Sequence, residues 1–448
     1  MTTVTSYPGV YIEELPSQSL SIANSSTAVP VFPVARAHDK DNHNAEENPN
    51  AAANIANGVP RLLFPKTTRI NSWLDFTKAL AYQPKVAASL QKTKQNKAVK
   101  TIDKPTEATL YDPSNPLHQS VKSYFLNGGG YCYLVPIRST LSDSVEGAVM
   151  VELEDGDFTS RVQRLEDVTL LVEAGVGMPW PAANANSPIG PGGNYLAQDK
   201  TIFETAVNLL CIPGNSLFAI LDGPQKELTP NTTLDSRTAF TACYYPYLRA
   251  DWATFQTTLC DIPPSGAVAG AYCRNDRERG VWKAPANVAL NGGLVPLFKT
   301  SDDLNGQFNP EGLNFIREFT GRGTLIWGAR TLTNNTDTEW RYIPVRRLFN
   351  SAEKDIKTTM RSMVFEPNNH ATWERVRCAI DNYLRSLWRQ GALPGKSEKE
   401  AYFVLVGKDI TMTDDDIAQG KLIVKIGMAA VRPAEFIILQ FTQDVNQG

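Results

Sequence analysis

Apolar residues fall along this chain in two rhythms. In the last third they recur at helical spacing: Val345, Leu348, Phe349, Ala352, Ile356 and Met363 share one face, and Trp373, Val376, Ile380, Tyr383, Leu384, Leu387 and Trp388 form a second stripe. Gly391 stops the second helix. Three β-rich stretches follow, YFVLVG at 402–407, KLIVKIGMAAV at 421–431 and EFIILQF at 435–441. This predicts an α+β domain over 321–434 and a strand-like arm over 435–448. The stretch 435–441 is apolar on both of its faces and so expects to be covered on both.

Between about 117 and 290 the rhythm changes to short apolar runs with room for helices between them. LHQSVKSYFLNGGG predicts a helix with a glycine stop, and YCYLVPI a strand. The runs 166–173, 208–212 and 217–221 continue the pattern, and AVAGAY at 267–272 reads as a buried strand. Strand, helix and strand at this spacing predict an α/β layer with a partly parallel sheet, within a domain spanning 21–320. TAVPVFPVA at 27–35 reads as a strand entering it, at an edge or irregular because of its two prolines. The polar stretches 36–60 and 84–116 read as loop insertions on this domain. The fold class is therefore α/β and α+β, multidomain, with extended arms at both ends.

The first arm covers 1–20. Tyr7-Pro8-Gly9-Val10 fits a type II turn, and Val10-Tyr11-Ile12 continues extended. A strand so near the start of the sequence has nothing local to pair with.

Composition and charge remove several classes of function. The net charge is −3, which gives no electrostatic footprint for nucleic acid and no polybasic membrane anchor. No apolar run is long enough to span a membrane, and MTTVTSYPG lacks the features of a signal peptide. The six cysteines are scattered without a CxxC and read as reduced, buried small hydrophobes.

Candidate chemistry is sparse. GALPGKS at 391–397 fails as a phosphate loop, because it has one residue too few between its glycines and follows a helix. GGG at 128–130 reads as a helix stop, and neither HExxH nor GxSxG occurs. Glu13-Glu14 on an extended arm point to opposite faces, and Asp414-Asp415-Asp416 fits a helix N-terminus. His38 and His43 lie in a polar loop, and His370 sits in capping context before a helix. No cofactor is implied. The basic residues Arg341, Arg346, Arg347 and Lys354, with Arg375, Arg377, Arg385 and Arg389 beyond, read either as solvated helix faces or as a docking surface for an acidic partner.

The residues also resemble a family. GVYIEE near the start, VKSYFLNGGGYCYLV (121–135), DIPPSGAVAGAY (261–272) and RGVWKAPAN (279–287) are similar to stretches of contractile tail sheath proteins. WGARTL (327–332), WRYIPVRRLF (340–349), FEPNN (365–369), LWRQGAL (387–393) and MAAVRPAEFIILQF (428–441) match in the same order. The resemblance is to the sheaths of extracellular contractile injection systems of the antifeeding-prophage and virulence-cassette type. The stretches 36–60, 84–116 and 175–200 do not match, and Cys273 stands where the family usually has alanine or serine.

The resemblance implies a structural protomer and no enzyme. Copies would stack as hexameric rings in a helical sheath around an inner tube, between a baseplate and a tail terminator, and contraction would drive the tube through a target envelope. Such a particle assembles in the bacterial cytoplasm and is released, without inserting this chain in a membrane. The arms would pair with other copies of the chain through Tyr7, Val10, Tyr11 and Ile12 and through Phe436, Ile437, Ile438, Leu439 and Phe441. Arg346, Arg347 and Lys354 become candidate inner-tube contacts. Two alternatives stay open at this point: a minor sheath paralogue capping the sheath near the baseplate, and a soluble α/β enzyme with RGVWKAPAN as its ligand loop.

Overall fold

A computed structural model describes residues 20–34, 67–80, 111, 113–137, 157–178, 193–230, 232, 238–255 and 257–436, with the backbone alone at 193–199 and 255. They divide into two compact units. The larger takes in residues 26–351 and those from 432 onward, and the smaller takes in 352–431 with 20–25.

The larger unit is built on one nine-stranded sheet. Its strands are β1 Pro30–Val34, β2 Thr68–Ile70, β3 Cys132–Pro136, β4 Leu170–Val172, β5 Phe218–Asp222, β6 Thr241–Tyr245, β7 Val288–Ala289, β8 Leu313–Phe319 and β9 Gly323–Trp327. Their order is β7-β9-β8-β6-β5-β4-β1-β3-β2. The six from β8 to β3 run parallel, and the outer pairs β2/β3, β8/β9 and β7/β9 are antiparallel. The strand expected from TAVPVFPVA is thus central and fully buried, not an edge. Its prolines fit for a local reason. Successive N–H groups of a parallel strand point to opposite neighbours. Val34 bonds to β3, its carbonyl accepting from Ile137 N–H at 3.0 Å, so Pro33 turns toward β4. Pairing with β4 ends at Val31, so the N–H that Pro33 lacks has no ladder bond to lose.

Apolar side chains alternate to both faces of this sheet and make two cores. Phe32, Val34, Leu134, Leu170, Val172, Ile220 and Tyr244 join the helices α1 Pro116–Leu126 and α4 Pro264–Arg279. Val31, Val135, Leu171, Ala219, Leu221 and Tyr245 face the opposite core with α2 Phe158–Gln163 and α3 Gly193–Leu210. The run 208–212 therefore lies at the end of α3 and just past it.

The expected strand at 267–272 is the middle of α4. An apolar helix buried all round has no polar face to reveal its period. Small residues at Gly266 and Gly270 are the cause of the burial. A Cβ at Gly270 would lie 2.3 Å from the Tyr124 carbonyl oxygen, and one at Gly266 2.5 Å from that of Ser120. The two helix backbones of α1 and α4 touch there, and only glycine permits it.

The hairpin β8/β9 belongs to the large sheet, so a boundary at 320/321 would cut it in two. The unit extends instead to Ser351. The next helix, α5 Ile343–Met360, is shared by residue number between the units.

In the smaller unit α6 is His370–Arg389, opened by Asn369, whose side chain accepts from Thr372 N–H at 3.1 Å. Val376, Ala379, Ile380, Leu384 and Leu387 of α6 are buried, and the helix packs against β10 Tyr402–Val406. The buried Asp355 accepts from Tyr383 OH at 2.8 Å and from Ser25 N–H at 3.0 Å. The acidic run opens α7 Asp414–Ala418 with a reciprocal cap between Thr413 and Asp416. β11 Val424–Met428 pairs antiparallel with β10.

Candidate assembly surfaces

The smaller unit ends in a sheet of only two strands. Tyr402 faces Met428 and Val406 faces Val424 across the ladder. Among the described residues no further strand pairs with the outer edge of β10 or β11. Tyr402 and Val406 turn inward and are buried, whereas Phe403 and Leu405 turn outward and are 53% and 43% exposed. The Phe403 ring lies across Gly427 on the neighbouring strand, close enough that any Cβ there would collide with it. Unpaired edges and a solvent-facing apolar surface make a template for strand addition. A two-stranded ribbon is also marginal alone. Val364 and Ile410 are exposed on the same unit, and Phe365 is fully exposed at a left-handed φ of 73°.

Of the expected arm residues, Tyr7, Val10, Tyr11, Ile12, Ile437, Ile438, Leu439 and Phe441 lie outside the described residues. Phe436 is described. It is exposed, outside any strand, with the Arg330 guanidinium 6.0 Å from its ring centre. The residue before it, Glu435, is ion-paired to Arg330 at 2.7 Å. Sequence reading placed Glu435 in a strand and left Arg330 aside, since nothing local links residues 105 apart.

Two of the three candidate tube contacts are corrected. Arg346 and Arg347 are buried. The guanidinium of Arg346 lies between Trp340 and Phe240, 4.1 and 4.5 Å from their ring centres, and donates to Asn350 at 2.8 Å. Arg347 forms a two-pronged pair with Asp276, at 2.6 and 2.9 Å, and also donates to the Thr27 carbonyl. These cations are engaged inside the larger unit. Lys354 is half-buried on α5.

The ends of β4 and β5 carry the chemistry that sequence reading missed. Ligands of open α/β sheets usually sit beyond the carboxyl ends of such strands. Here Glu173 and Asp222, both buried, meet there. Glu173 accepts from Asp222 N–H at 2.9 Å and lies 3.5 Å from Lys200 Nζ. Asp222 accepts from Gly175 N–H at 2.9 Å and from Ser265 N–H and Oγ at 2.8 and 3.0 Å. Burial, then the Asp222 charge, pushes the Glu173 carboxyl up to about 7, and burial raises Asp222 as well. This cluster is satisfied from within and ties β4, β5, α3 and α4 together. No group of His, Cys, Asp and Glu among the described residues is placed to hold a metal ion. No described helix is long and apolar enough to cross a membrane.

Comparison with known proteins places this architecture. Residues 335–444 match the phage tail sheath C-terminal domain. The chain is 44% identical to a chain of the PVC sheath complex, an extracellular contractile injection system solved in its contracted state. That likeness covers 99% of each chain at a TM-score of 0.69. It is 37% identical to the contracted helical sheath of the anti-feeding prophage, covering 98% of this chain and all of that one at a TM-score of 0.65. The tail sheath protein of Enterobacteria phage T4 is 27% identical over 128 residues, 28% of this chain and 19% of the phage protein. The fold defines a structural subunit with an α/β domain covered on both faces of its sheet and a second, two-stranded sheet among the described residues, and, as in these relatives, the role is not enzymatic. The chain belongs to the contractile tail sheath family.

Proposed function

We propose that this chain is the repeating subunit of a contractile sheath on an extracellular injection particle. Copies stack as hexameric rings around an inner tube, with a baseplate at one end and a terminator at the other. Contraction of the stacked lattice drives the tube through a target envelope. The particle is assembled in the cytoplasm and released.

The observation that supports this reading is the two-stranded β10/β11 sheet with Phe403 and Leu405 outward. The arms are its proposed occupants: Tyr7, Val10, Tyr11 and Ile12 from one copy, and Phe436 to Leu439 with Phe441 from another. An added strand of about five residues makes some four or five hydrogen bonds of roughly 0.5–1.5 kcal/mol each. Ordering those residues costs about 1–2 kcal/mol apiece. Burying two or three large apolar side chains adds roughly 1.5–3 kcal/mol each, so one arm alone is weak or near neutral, and a lattice of arms holds through effective concentration.

Deleting residues 1–14 tests the reading. The truncated chain is expected to stay soluble and folded by circular dichroism and to form no sheath in negative-stain images. Sheaths of normal length from the truncated chain would overturn it.

A further inference from the structure

The last described residues, 432–436, carry no helix or strand and belong with the larger unit. The hydrogen bonds that hold them there converge on one side chain, Glu435. Its carboxylate accepts from Arg330 Nε at 2.9 and 3.0 Å, from Arg330 Nη2 at 2.7 Å, from Asn309 Nδ2 at 2.9 Å and from Tyr342 OH at 3.1 Å. Burial pushes this carboxyl up. The hydrogen bonds from Arg330 and Asn309 and the Arg330 charge outweigh it, and the group is held below the usual range.

Arg330 is itself held from both sides. Its Nη1 donates to the Asn309 carbonyl at 3.0 Å. Its backbone N–H donates to Asn314 Oδ1, and its carbonyl accepts from Asn314 Nδ2, each at 2.7 Å. Asn314 is fully buried on β8 and reaches the Cys243 carbonyl of β6 at 3.1 Å. A continuous set of hydrogen bonds thus runs from the centre of the large sheet to Glu435. The pair is charge-assisted and two-pronged, the strong form of the interaction.

We propose that Arg330, with Asn309 and Tyr342, is the positioning site for the root of the C-terminal arm. It fixes the chain at Glu435 and Phe436, so that the arm beyond would be presented to a neighbouring copy of this chain from one set point. The proposal rests on the arm reading above and adds to it the residues that aim the arm.

The test uses the full chain with Glu435→Gln, Arg330→Gln and Tyr342→Phe, beside a deletion of 437–448. Two quantities are read: the rate of chymotryptic cleavage at Phe436–Ile437 in the unassembled chain, and the yield of sheath in negative-stain images. Glu435→Gln and Arg330→Gln are expected to raise the cleavage rate roughly ten-fold or more, from the strength of the charge-assisted bonds lost. Sheath yield falls with them. Tyr342→Phe removes one donor and leaves the ion pair, so it gives a smaller rise in a chain that folds as the wild type does. A deletion that assembles normally sinks the arm reading itself. A deletion that blocks assembly, with Glu435→Gln unchanged in cleavage or in sheath yield, overturns the positioning role alone.

Discussion

The two units answer the same problem, an apolar sheet in water, in opposite ways. The larger covers its sheet on both faces with its own helices, and Val31, Phe32, Leu134, Leu170, Leu171 and Ile220 are all buried. Even its buried charges find partners inside, Arg347 with Asp276 and Glu173 with Lys200. The smaller unit covers one face of its ribbon with α6 and leaves Phe403 and Leu405 outward, beside two edges that no further strand pairs with among the described residues. The first unit closes its own sheet, and the second leaves an apolar face in contact with solvent.

The comparison breaks most sharply at Arg347. Its side chain and that of Asp276 are each nearly sealed from solvent, at 3% and 4% exposed. Replacing Arg347 with alanine leaves a buried carboxylate without its cation, which typically costs about 3–5 kcal/mol. The expected outcome is a large fall in the melting temperature of the unassembled chain, with insoluble expression at the extreme. A variant that melts like the wild type would show that Arg347 is not part of a closed interior, and the contrast between the units would weaken.

That residue also marks the limit of what sequence could show. The apolar stripes of α5 and α6, the glycine stop after α1 and the strand at Cys132–Pro136 follow from local spacing, and the structure carries them, except that Met363 lies past the end of α5 in a separate turn. The stripe on α5 gave the helix correctly, and the arginines within it invited a docking reading. Only the fold brings Asp276, 71 residues earlier, against Arg347. The same applies at Glu435 and Arg330. The segment 267–272 failed for another reason. Its small apolar residues fit a buried strand as well as a buried helix, and the deciding signal was the Gly266–Gly270 spacing under α1. In β1, two prolines argued against a central strand, but Pro30 opens the strand and the register spares Pro33 a ladder bond. The open ribbon itself was half visible. Sequence showed strands near both ends without local partners, and the structure supplies a two-stranded sheet whose edges no further strand pairs with among the described residues.

A second test reads the interior of the larger unit through pH. The Glu173 carboxyl rises to about 7 in the fold, against about 4.5 when unfolded. Between those values the folded state binds more protons than the unfolded one, so stability falls as pH rises. The contribution is fully present below about 4.5 and lost as pH passes through 7. Asp222 is raised as well and acts in the same direction. Lys200, the cation facing the pair, stays charged across this window. Calorimetry of the unassembled chain at pH 5, 6, 7 and 8 is expected to show a decline that Glu173→Gln flattens. An equal slope in both proteins would mean that the pair does not hold its proton.

The smallest effect on folding is expected at Leu405, and it separates the units most cleanly. Leu405 points out of β10 and is 43% exposed, with Lys425 as its cross-strand neighbour. Leu405→Ser therefore removes little that the isolated chain buries, and its stability should stay within about 0.5 kcal/mol of wild type. Phe403 is the poorer probe, because its ring also covers Gly427 and its loss would bare that backbone. In a sheath the same leucine would be covered by a neighbouring copy, where full burial is worth roughly 1.5–3 kcal/mol. Repeated at every subunit of a ring lattice, that loss grows with the number of contacts made together. Denaturant unfolding of the unassembled chain should give an unchanged midpoint, while the fraction assembled at fixed concentration drops sharply. If the midpoint moves instead and assembly does not, Leu405 belongs to the interior of its own unit, and the open face of the ribbon is not where copies meet.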